Sequence, residues 1–277
     1  MDLRPFMERW HMLPPSGGVM LVAVSGGRDS VCLLDYLWRL GQERGFSVAA
    51  AHLNHGMRPT AQRDEELVRR LCRQRDIPFY TEKVDVYALC DTWRLTVEET
   101  GRRARYAFLR RTAASIGAAF IATAHHREDQ AETVLLNLLR GTGLKGLTGI
   151  PEKRDCILRP LLGATRAELA AYAAEHRIPF VEDSTNGTDD AARNMLRHQV
   201  LPVLKKLNPR VVENMSRTAS LLAADEAALD AACRKLLAQC AVTPNVSGMI
   251  PLAVLQDAPE ALRGRPVSYT HLTLPTN

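Results

Sequence analysis

Paired cysteines are missing from this sequence. Cysteine occurs at positions 32, 72, 90, 156, 233 and 240, and no two of these make a C-x-x-C pair. A thiolate zinc site or a disulfide scaffold is therefore not expected, and the pattern fits a reducing, cytoplasmic setting. Long apolar runs are missing as well. Nothing approaches the roughly 20 residues that span a bilayer, and no secretory leader is visible, so a soluble protein with no membrane partner is expected. Extreme charge is lacking too: the formal net charge is +5 and the pI about 9.0. What is present is ordinary globular material, 46% hydrophobic and 24% charged over 277 residues. That is enough for one large domain and part of a second.

The positive charge is gathered locally. Arg102, Arg103, Arg105, Arg110 and Arg111 fall within ten residues with no acid among them, and a second stretch holds Arg193, Arg197, Lys205, Lys206, Arg210 and Arg217. Such clusters can neutralise phosphates. A solvated helix face explains either one equally well.

Apolar β-rich segments alternate with amphipathic helical ones, which predicts an α/β fold, an open parallel sheet with helices on both faces. Strands are expected at Val19–Val24, Ser47–Leu53, Phe79–Val84, Ala119–Ala124 and Ile157–Leu161. Helices are expected at Asp29–Leu40, 61–75, Val97–Ile116, Glu128–Arg140 and Arg166–His176. Residues 1–207 then make one domain. From 208 to 265 the texture becomes Ala/Leu-rich and helical, the start of a second, partial helical domain. Residues 266–277 show neither periodicity; they are expected to be an unstructured tail, and their origin in the gene is open to question.

The most informative segment is Val22-Ala23-Val24-Ser25-Gly26-Gly27-Arg28-Asp29-Ser30. A buried strand ends in a Ser-Gly-Gly turn that opens a helix. Glycines let the backbone approach an anion, and successive amides at the positive helix end make a nest for pyrophosphate. Ser25 and Ser30 add hydroxyls. Asp29, acidic beside a polyanion, makes sense as a holder of Mg²⁺. No G-x-x-x-x-G-K-S/T occurs, so the loop is not a P-loop. The alternative is a tight turn that merely uses glycine. A second glycine run, Gly141 to Gly146, matches G-x-G-x-x-G but follows a helix where a dinucleotide site needs a strand, so it is expected only to cap that helix.

The S-G-G-x-D-S loop resembles that of the PP-loop ATP pyrophosphatases, whose fold is adenine nucleotide alpha hydrolase-like. Further segments, in order, resemble the tRNA(Ile)-lysidine synthase family. They are Ala51 to Arg58 (A-H-L-N-H-G-M-R), Glu98 through Arg102 to Tyr106, Ala124-His125-His126-Arg127-Glu128-Asp129-Gln130-Ala131-Glu132-Thr133, Arg159 to Leu162, Glu182 to Asn186, and Arg193 to Arg197. The resemblance covers roughly residues 18–207. It implies that ATP and Mg²⁺ are used to ligate free lysine to the wobble cytidine of isoleucine tRNA through an adenylated cytidine. It implies pyrophosphate binding by Ser25, Gly26, Gly27, Arg28, Asp29 and Ser30, with Asp29 toward the metal. Asp129, with Glu132 in support, would hold the lysine amine, and Arg102 and Arg193 would hold phosphate or developing charge.

Bland readings stand beside these. Asp129 and Glu132 share a helix face and suit the helix dipole without any ligand. His52, His55, His125 and His126 more often satisfy local hydrogen bonds than bind metal. Two departures from the family pattern are Arg28, where an apolar residue is common, and an early stop before the C-terminal domains that grip tRNA in relatives. The latter implies weaker tRNA binding. Rival readings are a PP-loop tRNA thiolase, disfavoured by the cysteine spacing, and a non-catalytic RNA- or nucleotide-binding module.

Overall fold

The computed structural model describes residues 1–56, 61–181, 191–239, 252–263 and 265. Met57 and Arg58, the Glu182-to-Asn186 motif, Cys240 and the tail from 266 lie outside the described residues. Contacts divide the chain into two compact units. One is Met1–Leu136 with Ile150–Ser216; the other joins Asn137–Gly149 to the described residues from Arg217 onward.

The first unit begins with α1 (Arg4–Arg9), β1 (Val19–Ala23), α2 (Arg28–Arg44), β2 (Ser47–Asn54), α3 (Ala61–Arg73) and β3 (Phe79–Lys83). Then come α4 (Val86–Trp93), α5 (Val97–Ser115), β4 (Phe120–Ala122) and α6 (Arg127–Leu139). After α7 (Leu144–Leu147), in the second unit, follow β5 (Lys153–Arg154), β6 (Ile157–Leu158), α8 (Arg166–Glu175), α9 (Ala191–Met195) and α10 (Leu201–Leu207). The sheet order is β3-β2-β1-β4-β6-β5. Every pairing is parallel except the last, in which β5 runs antiparallel to β6 at the edge. The chain builds outward from β1 in one direction through β2 and β3, then returns to lay β4 on the other side of β1. Such a reversal opens a crevice at the carboxyl ends of β1 and β4, where ligands of open α/β sheets bind.

Strand alternation sends successive residues to opposite faces. Met20, Val22, Val48, Ala50, Ala122 and Leu158 pack with Leu33 and Leu37 of α2, Val68 and Leu71 of α3, and Leu169 and Tyr172 of α8. Leu21, Ala49, Ala51, Ile121 and Ile157 pack against Phe108, Leu109 and Ala113 of α5. Helices thus cover both faces, as the run of apolar strands requires.

Local signals set the helix ends. Thr96 and Glu99 close a capping box on α5, and Thr165 and Glu168 do the same on α8. α2 stops at Gly45, whose φ of 75° is the left-handed cap glycine adopts at little cost. The expected strand Ile157–Leu161 is cut short because Pro160 starts a 3-10 turn. Helices α1, α4, α9 and α10 add to those expected. Between α9 and α10, residues Leu196–Val200 form a π-turn. Pro202 follows it, and the wider turn lets the chain stay helical past a residue with no N–H to donate.

α11 (Val211–Gln239) starts in the first unit and continues in the second. In the second unit Cys233 and Leu237 bury against Leu262 of α13 (Glu260–Arg263), which follows α12 (Leu252–Asp257). Arg265 pairs with Glu226 at 2.7 Å. The glycine run after α6 caps that helix, with Gly141 N–H on Leu138 O at 3.0 Å and φ +70°. Among the described residues no helix is long and apolar enough to cross a membrane.

Candidate active site

The turn after β1 is held by its own serines. Ser30 Oγ donates to Gly27 O at 2.8 Å, accepts from the Ser25 N–H at 3.1 Å and lies 3.2 Å from Ser25 Oγ. Ser25 Oγ accepts from the Gly27 N–H at 3.3 Å. Gly26 takes φ +93°, and a Cβ there would stand 3.3 Å from Asp64 O. Its own carbonyl accepts from Val181 N–H at 3.0 Å, so the loop is braced from both sides. The Arg28 N–H turns to Val181 in the parallel bridge that joins Gly27 to Val181, while the N–H groups of Gly26 and Asp29 find no protein acceptor among the described residues. These amides, at the start of a 17-residue helix, are free donors for an anion.

Across the crevice, β4 ends and α6 begins with His126 in the capping position. Asp129 closes back on it, its Oδ2 accepting from the His126 N–H at 2.9 Å. The buried His126 ring lies among three carboxylates: Nε2 is 3.7 Å from both Asp29 Oδ2 and Asp129 Oδ2, and Nδ1 is 3.2 Å from Glu128 Oε2. The last contact is too bent for a good hydrogen bond and acts through charge. Burial pulls the His126 pKa down, but Glu128, Asp129 and Asp29 outweigh it and leave it raised. Burial likewise pushes the Glu128 carboxyl up. His126 and the Arg166 N–H more than reverse this and bring it down to about 2.

Glu132, three residues beyond Asp129, is fully buried and bound by Arg197 through a fork, Nε to Oε1 at 2.7 Å and Nη2 to Oε2 at 2.8 Å. The same Nη2 reaches Asp129 Oδ1 at 3.3 Å. Arg193, one turn earlier, places Nε 3.9 Å from Glu132 Oε2. A cleft of about 340 Å³ opens beside them, lined by Arg28, Glu128, Glu132, Arg166, Arg197 and Lys205. Asp29 and Asp129 offer carboxylate oxygens from two elements beside one imidazole, a donor set that suits a hard divalent cation completed by phosphate and water.

The residues expected to be functional are thus placed as follows. Ser25 to Ser30 form the loop, while Asp29, Asp129, Glu132 and Arg193 meet around His126 and Arg197. Arg102 stands apart from these contacts, on α5, its guanidinium 5.3 Å from the Tyr106 ring. Arg28 turns its Nε to Asp29 Oδ1 at 3.2 Å. Sequence reasoning gave no catalytic role to His126 or Arg197, placing Arg197 in a basic stretch and His126 among histidines that satisfy local hydrogen bonds or bind metal. The signal for Arg197 was its spacing of four from Arg193, which puts both on one helix face. His52 Nδ1 lies 2.8 Å from Val24 O, at the root of the loop. Among the described residues no three His, Cys, Asp or Glu side chains converge as a metal site.

Comparison with known proteins identifies a family. The PP-loop domain model matches residues 7–204. A tRNA(Ile)-lysidine synthase from Thermotoga maritima is 44% identical over 205 residues, 74% of this chain and 50% of the relative. One from Geobacter sulfurreducens is 39% identical over 267 residues, 95% of this chain and 56% of the relative. The chain spans about half the length of these curated relatives. In fold it is similar to the U34-tRNA thiolase NcsA from Methanococcus maripaludis, with a TM-score of 0.65, 17% identity, and coverage of 75% of this chain and 72% of that one. With a serine-glycine loop of free amides after its first strand and a family match over most of its length, the chain belongs to the PP-loop family.

Proposed function

We propose that this chain carries the catalytic part of a tRNA(Ile)-lysidine synthase, which joins free lysine to the wobble cytidine of isoleucine tRNA at the expense of ATP. The observation that carries the reading is the acidic pair Asp129 and Glu132, held by Arg197 and His126 beside the free amides of the loop. The names of the curated relatives support it.

The chemical problem is a poor leaving group, the 2-oxygen of cytosine. That oxygen attacks the α-phosphorus of ATP and pyrophosphate leaves. The lysine ε-amine then attacks ring carbon 2, AMP departs with the oxygen, and the amine loses a proton. Ser25, Gly26, Gly27, Arg28, Asp29 and Ser30 hold the pyrophosphate portion through backbone amides and hydroxyls, which stabilise charge where it develops. Asp29 would hold Mg²⁺, which would neutralise phosphate charge. Asp129, supported by Glu132, holds the lysine amine and takes up its proton. Arg102 and Arg193 hold phosphate or developing charge. The cytosine leaves its stack to reach the crevice. The protein works in the cytoplasm.

Against a thiolase, no two cysteines make a C-x-x-C pair, and burial pushes the Cys32 and Cys72 thiols up to about 12 and about 11, which takes these two out as reactive thiolates. Incubation with ATP, labelled lysine and isoleucine tRNA tests the reading. Label is expected in the RNA, and Asp129→Ala is expected to abolish it. Near-normal turnover by that variant refutes the role of Asp129, and RNA binding without label uptake supports a binding module instead.

A further inference from the structure

The carboxyl edge of the sheet has two chemically different halves. Around α6 the charges are paired, carboxylate to guanidinium or imidazole. On the α5 side, Arg102, Arg105 and Arg159 have no carboxylate within ion-pair distance among the described residues. The five-arginine run sorts itself accordingly. Arg110 and Arg111 are paired with Asp155 at 3.4 Å and Glu82 at 2.9 Å, and Arg103 lies 4.6 Å over the Trp93 ring. Arg105 instead meets an imidazole, His55 Nε2 at 3.3 Å, just past the end of β2.

Arg159, just past the end of β6, is 3% exposed. One of its nitrogens donates to Pro151 O at 2.6 Å, while its buried Nε has no hydrogen-bond partner. Its buried charge adds to the positive potential of this edge. Between these ends, Thr123 Oγ1 donates to Leu158 O at 3.3 Å and accepts from His125 Nδ1 at 3.2 Å, since its one proton is already committed. Burial first, then the charges of Arg159, Arg102 and Arg105, keep His125 neutral against the pull of Asp129. The row runs from β2 past β1 and β4 to β6. Three inter-strand steps make it about 14 Å long, wider than a single phosphate group. Tyr106 supplies an aromatic face within it.

We propose that the exposed Arg102 and Arg105, backed by the buried charge of Arg159, form a phosphodiester-binding row for single-stranded RNA along the α5 side of the sheet's carboxyl edge. The choice of RNA over another polyanion rests on the tRNA-modifying reading above. The row leads a strand across the strand ends to the crevice, where the target base meets the loop.

Binding of a short cytidine-containing single-stranded RNA to the whole chain, followed by fluorescence anisotropy over a range of salt, tests the row. Arg105→Gln is expected to weaken binding several-fold at low salt and to reduce the slope of log K against log salt by about 0.7, the loss of one single-strand phosphate contact. Arg105→Lys should restore the slope. Arg159→Gln, which removes charge behind the row and no direct contact, should weaken binding less and change the slope less than Arg105→Gln, and the exposed Arg105 keeps the test open if the buried variant fails to fold. Arg111→Gln, already paired, should change nothing. ATP affinity, measured by calorimetry, should stay the same throughout. Slopes unchanged in both variants, no RNA binding by the parent chain, or a loss that falls on ATP instead of RNA would each overturn the proposal. RNA binding with the expected slopes but no lysine transfer would leave the row standing and retire the proposed ligase.

Discussion

Gly26 holds the loop open in two ways, through a φ of +93° and through the absence of a side chain facing Asp64 O. Alanine there must adopt a conformation that costs about 1–2 kcal/mol and also turns the neighbouring amides off their common target. Gly26→Ala is therefore expected to lower stability by that amount in urea unfolding and to weaken ATP binding by about tenfold in calorimetry. Unchanged affinity would mean that those amides do not hold the phosphates. At this scale much was legible. The loop announced itself by serines, glycines and an aspartate at fixed spacing, and Asp129 and Glu132 by their separation of three. Arg197 was less legible because its partners lie 65 and 68 residues away. His126 looked like any motif histidine until three carboxylates from two elements surrounded it. The same holds for Arg105 and Arg159. Sequence shows a cluster of arginines, and only the fold shows which of them lack a counter-charge.

Among elements, α2 matters most, since its first turn is the loop and its body must stay put. Asp35, 3% exposed, pins it: Arg39 at 2.7 Å on the same helix, Arg75 at 2.7 Å after α3, and the Tyr172 hydroxyl at 2.9 Å on α8 all converge on its carboxylate. Burial pushes the Asp35 carboxyl up, but the bonds from Arg39, Tyr172 and Arg75 win and leave its pKa lowered. A depressed folded pKa gives stability that is present above the unfolded value of about 3.9 and is lost as pH falls through the folded value. Asp35→Ala is expected to cost about 1–3 kcal/mol, because it leaves the buried Tyr172 hydroxyl without its acceptor and releases Arg39 and Arg75, and to flatten the acid limb of a stability-against-pH curve. A small loss with the acid limb unchanged would remove Asp35 as the pin. Element types followed from periodicity, and the ends of α5 and α8 from their capping boxes. The short α4 was missed although Asp85 caps it with a bond from the Ala88 N–H at 3.1 Å. Eight residues give too few turns for a periodic signal. The π-turn before Pro202 had no periodic signature either, since proline at that point reads as an end rather than a widening.

For the whole molecule, alternation of strand and helix predicted helices on both faces of a parallel sheet, and the order β3-β2-β1-β4-β6-β5 has that form. The antiparallel edge strand β5 escaped notice because two residues, Lys153 and Arg154, carry no apolar alternation. The reversal of direction at β1 places the loop and the α6 cap on one crevice, bringing residues 25 to 30 beside residues 126 to 132 although about a hundred positions separate them. A structure of this chain with a non-hydrolysable ATP analogue tests that convergence most directly. The triphosphate should lie on the N–H groups of Gly26 and Asp29, with Asp129 and Glu132 facing the same cavity. A triphosphate seated elsewhere, with those amides turned to solvent, would contradict the account.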